Sequence, residues 1–519
     1  MQALVKTWPV ALVLAAVLIA MGFVTTRQAA ETTSGTWDET IYLALGRSLA
    51  AGDRGALADL GVAPLPVALA WSRRVVEPVS APPGDSSVYR DRISRARARA
   101  VQWFAIPCFV GVFAIIGMAR GIWVGFFAAL LVALSPNVIA HASLATTDMA
   151  FATVSLACVA AMIGYFRNPS PVWTTGLAIA LGVSLSVKYS AVLLVAATLV
   201  LFAMQFERGR WRRDVTVLAM AVLIAWALHG FATVSIVSAG GIPLPIFFRG
   251  VAVQADLDAA GQEAFLLGST SQRGWWYYFP VALALKSTPI ELIGFVAFAW
   301  VALRRLRSIE HRVAATVVAI FVGASLFTHR DLGVRYLLPV TVLCLAGAAV
   351  WVSDLIKDRR RLALMAVAAI AGQSASHASI APHYLAYFNG FSGGAATGYR
   401  KLVDSNLDWG QDLPSLAEWL TARGDTRVAL AYYGSAPTAA YGINAVALRS
   451  AAEPAAARPR YIAISATLLQ GVFACGDPLR AFRALPEDGR AGYSIFIYAL
   501  ERPEVLAALS TVVTDPCLP

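Results

Sequence analysis

Charged residues, cysteines and recognisable catalytic motifs are scarce in this chain. Only 14% of its 519 residues are charged, whereas 58% are hydrophobic, and the mean hydropathy of +0.64 excludes an ordinary soluble domain. The sequence contains no Walker loop, no GxGxxG and no GxSxG, and its six histidines show no metal-ligand spacing such as HExxH. The usual signatures of nucleotide-binding and hydrolytic sites are therefore missing.

The five cysteines divide into two groups. Cys108, Cys158 and Cys344 lie inside apolar runs and are expected to be packing residues. Cys475 and Cys517 lie in the C-terminal tail. If that tail is extracytoplasmic they can form a disulfide, and two unpaired thiols are the alternative.

Long apolar runs are the dominant feature of the first three quarters of the chain. Each run is about 16–23 residues long, which is enough for a helix to cross a bilayer. About eleven such spans are predicted, because only helices satisfy their own backbone polar groups in lipid over such lengths. They lie near 8–24, 101–118, 122–138, 149–165, 172–187, 189–206, 215–237, 288–303, 313–328, 336–352 and 362–381.

Arginine-rich short loops predict the orientation. Arg120 and Arg167 each follow a predicted span, and further clusters lie at 208–213, 304–312 and 357–361. With a cytoplasmic N-terminus and eleven spans, all of these lie in the cytoplasm, as the positive-inside rule requires. The net charge of +11 is thus explained by membrane topology, and no nucleic-acid partner is expected.

Two segments are then predicted on the outer side. Residues 25–99 form a large first outer loop, whose Arg-rich stretch 90–99 is expected to lie along the membrane surface and lead into the second span. Residues 382–519 form an extracytoplasmic α/β domain, with a helix near 412–420 and strands at 427–433, 461–465 and 493–500. The first domain, 1–381, carries the membrane spans.

Three carboxylates lie on the predicted outer side of the spans. Asp38 and Glu39 follow the first span, and Asp148 ends the turn between the third and fourth spans. Ionisable groups at a membrane are candidates for function, and each carboxylate also has a structural alternative as a helix cap. Adjacent residues on a helix point about 100° apart, so only one of Asp38 and Glu39 is expected to face a site.

Several cations share that side. Lys188 and Lys286 lie at the ends of apolar runs, where snorkelling to headgroups is the alternative. The turn His329–Tyr336 breaks the positive-inside trend, and its Arg335 is the best phosphate ligand because guanidinium binds phosphate bidentately. His329 and Tyr336 are weaker candidates for substrate binding.

A polar cluster follows the last predicted span. Asp404, Asn406 and Asp408 crowd around Trp409. Turn chemistry is one explanation. Sugar recognition is the other, with an aromatic platform beside hydrogen-bonding groups.

Together, several short motifs resemble the GT-C membrane glycosyltransferases, in the branch of phospholipid-carrier-dependent enzymes similar to protein O-mannosyltransferases. The motifs are Trp37-Asp38-Glu39, Thr146-Thr147-Asp148, Lys188-Tyr189-Ser190, Lys286-Ser287-Thr288-Pro289 and Arg335-Tyr336-Leu337-Leu338-Pro339. The segments 382–389, 404–412 and 492–498 are similar to an uncharacterised bacterial subgroup. The strength of the resemblance lies in the order of the motifs and in their common side of the membrane.

The resemblance implies a polytopic α-helical enzyme of the bacterial plasma membrane. It implies transfer of a sugar from a polyprenyl-phosphate carrier to an acceptor hydroxyl of a lipid, glycan or protein, with inversion, at the outer face. Asp38 is then the expected catalytic base and Asp148 the second acidic residue, while Lys188, Lys286 and Arg335 are candidates for the carrier phosphate. Nothing resembles the β-trefoil domain of protein mannosyltransferases, so a protein acceptor is in doubt. No cofactor is implied, and a divalent cation stays open.

Two other functions stay open from the sequence. A transporter or flippase of a lipid-linked sugar is the main alternative, although such proteins usually carry repeats and polar breaks near mid-membrane, which the sequence lacks. A catalytically inactive scaffold or accessory subunit is the third.

Overall fold

Helices make up most of the computed structural model, which describes residues 2–76, 86–205, 209–235, 243–356, 358–450 and 459–512. Arg208 and Lys357, from two of the predicted cytoplasmic clusters, lie outside the described residues. So does Cys517, whereas its expected partner Cys475 is disulfide-bonded. Cys108, Cys158 and Cys344 are free and buried, as expected.

A helix lies at every predicted span. In the first half these are α1 (Gln2–Glu31), α7 (Ile106–Arg120), α8 (Ile122–Ala133), α9 (Pro136–Ala142), α10 (Thr147–Arg167), α11 (Pro171–Val187), α12 (Val192–Met204) and α13 (Trp211–Leu228). In the second half they are α16 (Pro289–Arg304), α17 (Ile309–Ser325), α18 (Leu338–Leu355) and α19 (Arg359–Ala378).

Fewer of these helices meet a strict length and hydropathy requirement for a membrane span. Within the described ranges four do so: Pro9–Glu31, Ser87–Arg120, Thr147–Arg167 and Val334–Leu355. A fifth is possible if α8 and α9, which bend by 73° at their break, count as one. The bend falls where Ser135 caps α9 and Pro136 begins it. The number of about eleven spans therefore stays a prediction.

The outer loop between the first two spans is largely helical. Its elements are α2 (Trp37–Ala50), α3 (Gly55–Asp59), α4 (Pro64–Ala70), α5 (Arg73–Val76) and α6 (Ser86–Ala100). The Arg-rich stretch leads into the second span as predicted, because the helix Ser87–Arg120 is continuous. Its position along the membrane surface stays a prediction. Ile93, Ala96 and Arg97 form the buried face of this helix.

The seventh predicted span is shorter than expected. Helix α13 ends at Leu228, and β1 (Thr233–Ser235) pairs antiparallel with β2 (Pro243–Pro245) instead of extending the span to 237. The connection to α16 contains α14 (Phe247–Ala260), a hairpin of β3 (Ala264–Leu266) and β4 (Ser269–Ser271), and α15 (Tyr278–Lys286).

The C-terminal part is an α/β region, as predicted. Its helices are α20 (Ala395–Gly398), α21 (Leu413–Thr421), α22 (Ala466–Leu469) and α23 (Pro503–Ser510). Its strands are β5 (Arg427–Ala431), β6 (Asn444–Ala447), β7 (Tyr461–Ser465), β8 (Gly489–Ala491) and β9 (Ile495–Ala499). They form one mixed sheet of order β6-β5-β7-β9-β8, parallel across β6-β5-β7 and antiparallel beyond.

This C-terminal region is hydrogen-bonded directly to the start of the outer loop. The backbone N–H of Ser34 donates to Gln411 O at 2.8 Å, and that of Trp37 donates to Trp409 O at 3.1 Å. Ser435 Oγ donates to Trp37 O at 3.0 Å. The beginning of α2 is therefore fixed between the helices and the sheet.

Candidate active site

Asp38 and Glu39 begin helix α2 and face different surroundings. Thr36 and Glu39 form a capping box at its N-terminus. The Asp38 side chain is 24% exposed, whereas Glu39 is fully buried. The two carboxylates thus separate as the helical geometry predicts, with Asp38 on the open side.

Glu39 belongs to a buried ion pair. Arg97 donates from Nε to Oε1 at 2.8 Å and from Nη2 to Oε2 at 2.7 Å, and the backbone N–H of Ala145 donates to Oε1 at 2.9 Å. Burial by itself would raise the pKa of Glu39, but the charge and hydrogen bonds of Arg97 hold it below its usual value. Glu39 connects α2 to α6 and to the turn before α10.

Arg335 joins the two other predicted carboxylates. Its Nη1 donates to Asp38 Oδ2 at 2.9 Å and lies 3.7 Å from Asp148 Oδ2. Lys188 Nζ donates to Asp148 Oδ1 at 2.5 Å. The four side chains form a charge network of two acids and two bases.

Aromatic rings surround this network. The Arg335 guanidinium lies 4.2 Å from the ring centre of Trp409, and Lys188 Nζ lies 4.7 Å from that of Tyr336. Such cation–π contacts fix the cations without neutralising them. No described residue donates a hydrogen bond to Asp38 Oδ1, so this oxygen remains for a substrate.

The network opens onto a cavity of about 460 Å³, which is a normal size for a ligand site. The cavity takes its walls from α2, from the turn before α18, and from the C-terminal region. Its polar and aromatic lining consists of Trp37, Asp38, Tyr42, Thr147, Lys188, Tyr189, Ser190, Gln254, Gln262, Arg330, Arg335, Tyr336, Asp404, Trp409, Tyr433 and Phe473.

A second cavity of about 430 Å³ adjoins the first and is mainly apolar. Its walls include Phe151, Val251, Phe279 and Phe321. Six residues line both cavities: Lys188, Tyr189, Ser190, Gln254, Arg330 and Tyr336. Two cations therefore lie where a polar chamber meets an apolar one.

Arg330 differs from the other cations of the site. Its Nη1 donates to Gln254 Oε1 at 3.0 Å and its Nη2 to Gln262 Oε1 at 3.4 Å. Neutral amides orient the guanidinium, and within the described part of the chain no carboxylate pairs with it. Its charge is available to an anion.

Asp404 places a further acid on the cavity wall. It has a left-handed backbone, with φ of 52°, and its Oδ1 accepts a hydrogen bond from Tyr433 Oη at 3.1 Å. Burial raises the pKa of Asp404 to about 6, against the lowering effect of Arg335. Asp404 therefore gains its negative charge in the weakly acidic pH range, and the net charge of the cavity lining changes with it.

The chain shows two kinds of similarity to known proteins. Residues 96–235 match the family model of dolichyl-phosphate-mannose-protein mannosyltransferases. This match confirms the resemblance inferred from the motifs. The matched segment contains Asp148 and Lys188, whereas Asp38 and Arg335 lie outside it.

Two solved structures align over nearly the whole chain. The crystal structure of ArnT from Cupriavidus metallidurans bound to undecaprenyl phosphate covers 95% of this chain and 98% of its own, at 14% identity and a TM-score of 0.45. The apo state of the same protein covers 97% and 99%, at 15% identity and a TM-score of 0.45. No curated protein sequence matches the chain.

The structure brings about half of the predicted residues together. Asp38, Lys188, Arg335, Tyr336, Asp404 and Trp409 line the cavity. Asp148 is buried behind Lys188 and Arg335. The cavity lining does not include Glu39, Lys286, His329, Asn406 or Asp408.

Lys286 and Asn406 are bonded to each other rather than to a ligand site. Lys286 Nζ donates to Leu385 O at 2.7 Å and to Asn406 O. The Asn406 side chain accepts from the Val334 N–H at 3.1 Å and donates to Tyr278 Oη at 2.8 Å. Both residues connect the C-terminal region to the helices, and their predicted role in substrate binding stays a prediction.

Asp408 and His329 also lie away from the cavity. Asp408 Oδ2 accepts from the Thr467 N–H at 2.8 Å, and burial raises the pKa of this carboxyl to about 7. The His329 side chain is exposed, while its backbone N–H donates to Asp258 Oδ1 at 3.2 Å. In the described residues, no three His, Cys, Asp or Glu side chains form a metal-binding group.

Some residues of the cavity have no strong sequence signal. Tyr42, Gln254, Tyr433 and Phe473 occur in unremarkable local patterns and meet only through the fold. Arg330 did have a signal, because it is the first of two arginines in a turn on the predicted outer side.

Proposed function

We propose that this protein transfers a sugar from a polyprenyl-phosphate carrier to an acceptor hydroxyl, with inversion at the anomeric carbon. The reaction takes place at the outer face of a bacterial plasma membrane. The matched family model supports a lipid-linked sugar donor, since its description names dolichyl-phosphate-mannose.

One observation carries the proposal: a polar cavity with a free carboxylate oxygen adjoins an apolar cavity, and cations lie at their junction. A polyprenyl-phosphate sugar has the same division of chemistry. Its sugar requires a polar chamber, its phosphate requires cations, and its isoprenoid chain requires apolar walls.

Asp38 is the proposed general base. Its Oδ2 accepts a hydrogen bond from Arg335 at 2.9 Å, whereas Oδ1 accepts none from the described residues, and Asp38 lines the cavity. The acceptor oxygen attacks the anomeric carbon while its proton passes to Asp38. Assistance of this kind contributes about 10²–10⁴-fold to the rate.

Lys188 and Arg330 are the proposed ligands of the carrier phosphate. The bond between the anomeric carbon and the phosphate oxygen breaks, and its electron pair leaves with the polyprenyl phosphate. Cations beside this oxygen stabilise the charge that develops on it. Arg330 is the stronger contributor because Lys188 already balances Asp148 at 2.5 Å.

The decisive experiment compares Asp38→Asn with Asp53→Asn in purified full-length protein. Asp53 is an exposed acid of the same outer loop, so its substitution controls for the loss of one negative charge. We expect Asp38→Asn to lower transfer from a polyprenyl-phosphate sugar at least a hundredfold at unchanged thermal stability, and Asp53→Asn to have no effect. Transfer by folded Asp38→Asn at the parental rate would contradict the proposal.

A further inference from the structure

A third cavity lies at the opposite end of the helical bundle. Its volume is about 590 Å³, and α7, α10, α16, α17 and α18 contribute to its walls. Helix α10 carries Asp148 in its first turn and lines this cavity from Leu156 to Arg167. At 1.5 Å per residue the cavity begins about 12 Å along the helix from Asp148 and extends to about 30 Å from it. It shares no lining residue with the two cavities of the proposed active site, so it is separate from them.

The walls of this cavity are mainly apolar. Leu156, Val159 and Ile163 contribute from α10, and Leu343 and Val350 contribute from α18. A wide apolar cavity between membrane helices suits a hydrocarbon chain better than a soluble metabolite, which would lose its hydration without gaining hydrogen bonds.

The mouth of the cavity carries a surplus of positive charge. Arg120 donates from Nε and Nη2 to the two oxygens of Asp354 at 2.9 and 3.2 Å. Arg305 Nη1 also lies 3.7 Å from Asp354. Two guanidinium groups therefore share one carboxylate, and Arg305 can hold Asp354 when Arg120 turns to another anion.

The rest of the mouth has the character of a membrane interface. Arg167 pairs with Glu310 and so adds no net charge. Trp173 and Met118 line the opening and are exposed. Tryptophan at this position is typical of the level of the lipid headgroups, which places the Arg120 guanidinium within reach of a phosphate.

We propose that this cavity binds one anionic phospholipid, with an acyl chain between α10 and α18 and the phosphate on Arg120. Basic pockets between membrane helices are known to hold anionic headgroups. The lipid would stabilise this end of the bundle independently of the sugar transfer proposed for the other end.

The test measures lipid binding to the purified full-length protein by native mass spectrometry. The probes are phosphatidylglycerol and phosphatidylcholine with identical acyl chains. We expect the parental protein to bind phosphatidylglycerol more tightly. Arg120→Gln should weaken phosphatidylglycerol binding about fivefold, the effect of one arginine near a membrane surface. It should weaken phosphatidylcholine binding less, because the choline ammonium already balances the phosphate of that lipid.

Two further variants separate the cavity from the general membrane surface. Arg359→Gln removes an exposed arginine that does not line the cavity and should leave binding unchanged. Ala160→Phe fills the cavity and should weaken both lipids, whereas Ala368→Phe on the exposed face of α19 should weaken neither. Equal affinity of the parental protein for the two lipids, or equal effects of Arg120→Gln and Arg359→Gln, would overturn the proposal.

Discussion

Substitution of Arg335 tests how the charge network works. From the sequence, Arg335 was expected to bind the carrier phosphate, but its guanidinium is already shared between Asp38 and Asp148 and lies over Trp409. We therefore expect Arg335 to be a positioning residue that holds Asp38 for catalysis.

The structure sets the size of the effect. Arg335→Gln removes one charged hydrogen bond of 2.9 Å from the base. Hydrogen bonds to charged groups contribute about 1.5–3 kcal/mol, which corresponds to a fall in kcat of about 10–150-fold. Lys188 still balances Asp148 in the variant, so the fold should survive.

The assay measures kcat and the donor KM separately, beside Arg330→Gln as the contrasting variant. Arg335→Gln should lower kcat with little change in donor KM, because the guanidinium is already paired with Asp38 and Asp148. Arg330→Gln should raise donor KM about tenfold or more, since it removes the cation that no carboxylate balances.

The positioning role of Arg335 would be refuted if its substitution changed the donor KM instead of kcat. If Arg335→Gln raised the donor KM and spared kcat, Arg335 would be the phosphate ligand that the sequence suggested. Arg335→Lys gives a further check, because a single ammonium cannot reproduce the guanidinium geometry and should restore kcat only in part.

Two other predictions concern stability. Arg97→Met leaves the Glu39 carboxylate buried and unpaired and should destabilise the protein by about 3–5 kcal/mol. Thermal unfolding in detergent measures this effect. A destabilisation below about 1 kcal/mol would contradict a structural role for the Arg97–Glu39 ion pair. Burial raises the pKa of Asp408 to about 7, so the folded protein favours the protonated carboxyl. The stability that this preference gives at low pH is lost as the pH rises from about 4 to 7. Between about pH 5 and 8 the free energy of unfolding should therefore fall less in Asp408→Asn than in the parental protein, by up to about 3 kcal/mol. The same pH dependence in both proteins would show that this carboxyl does not titrate in that range.

The sequence predicted the helices better than the small strands. Apolar runs locate helices because their length and composition are visible in a local window. Strands β6 (Asn444–Ala447) and β8 (Gly489–Ala491) were missed because they are short edge strands rich in alanine and glycine. Their positions depend on β5 and β9 rather than on their own residues.

The candidate site was predictable only in part, because a lone ionisable residue does not reveal its partner. Asp38 and Glu39 look alike in the sequence, and Arg97, which pairs with Glu39, lies 58 positions away. The sequence likewise gives no sign that the carbonyls of Leu385 and Asn406 accept hydrogen bonds from Lys286. The pairing of Asp38 with Arg335 spans 297 positions, beyond any local pattern.

The walls of the active-site cavity come from both ends of the chain. Trp37 stacks on Tyr433 with ring centres 5.4 Å apart, and Tyr433 stacks on Phe473 at 5.3 Å. During synthesis the segment with Asp38 emerges first, long before the C-terminal region that carries Tyr433 and Phe473. The cavity is therefore open to water until the last part of the chain has folded onto it, so an incomplete chain inserted in the membrane cannot enclose the proposed sugar donor.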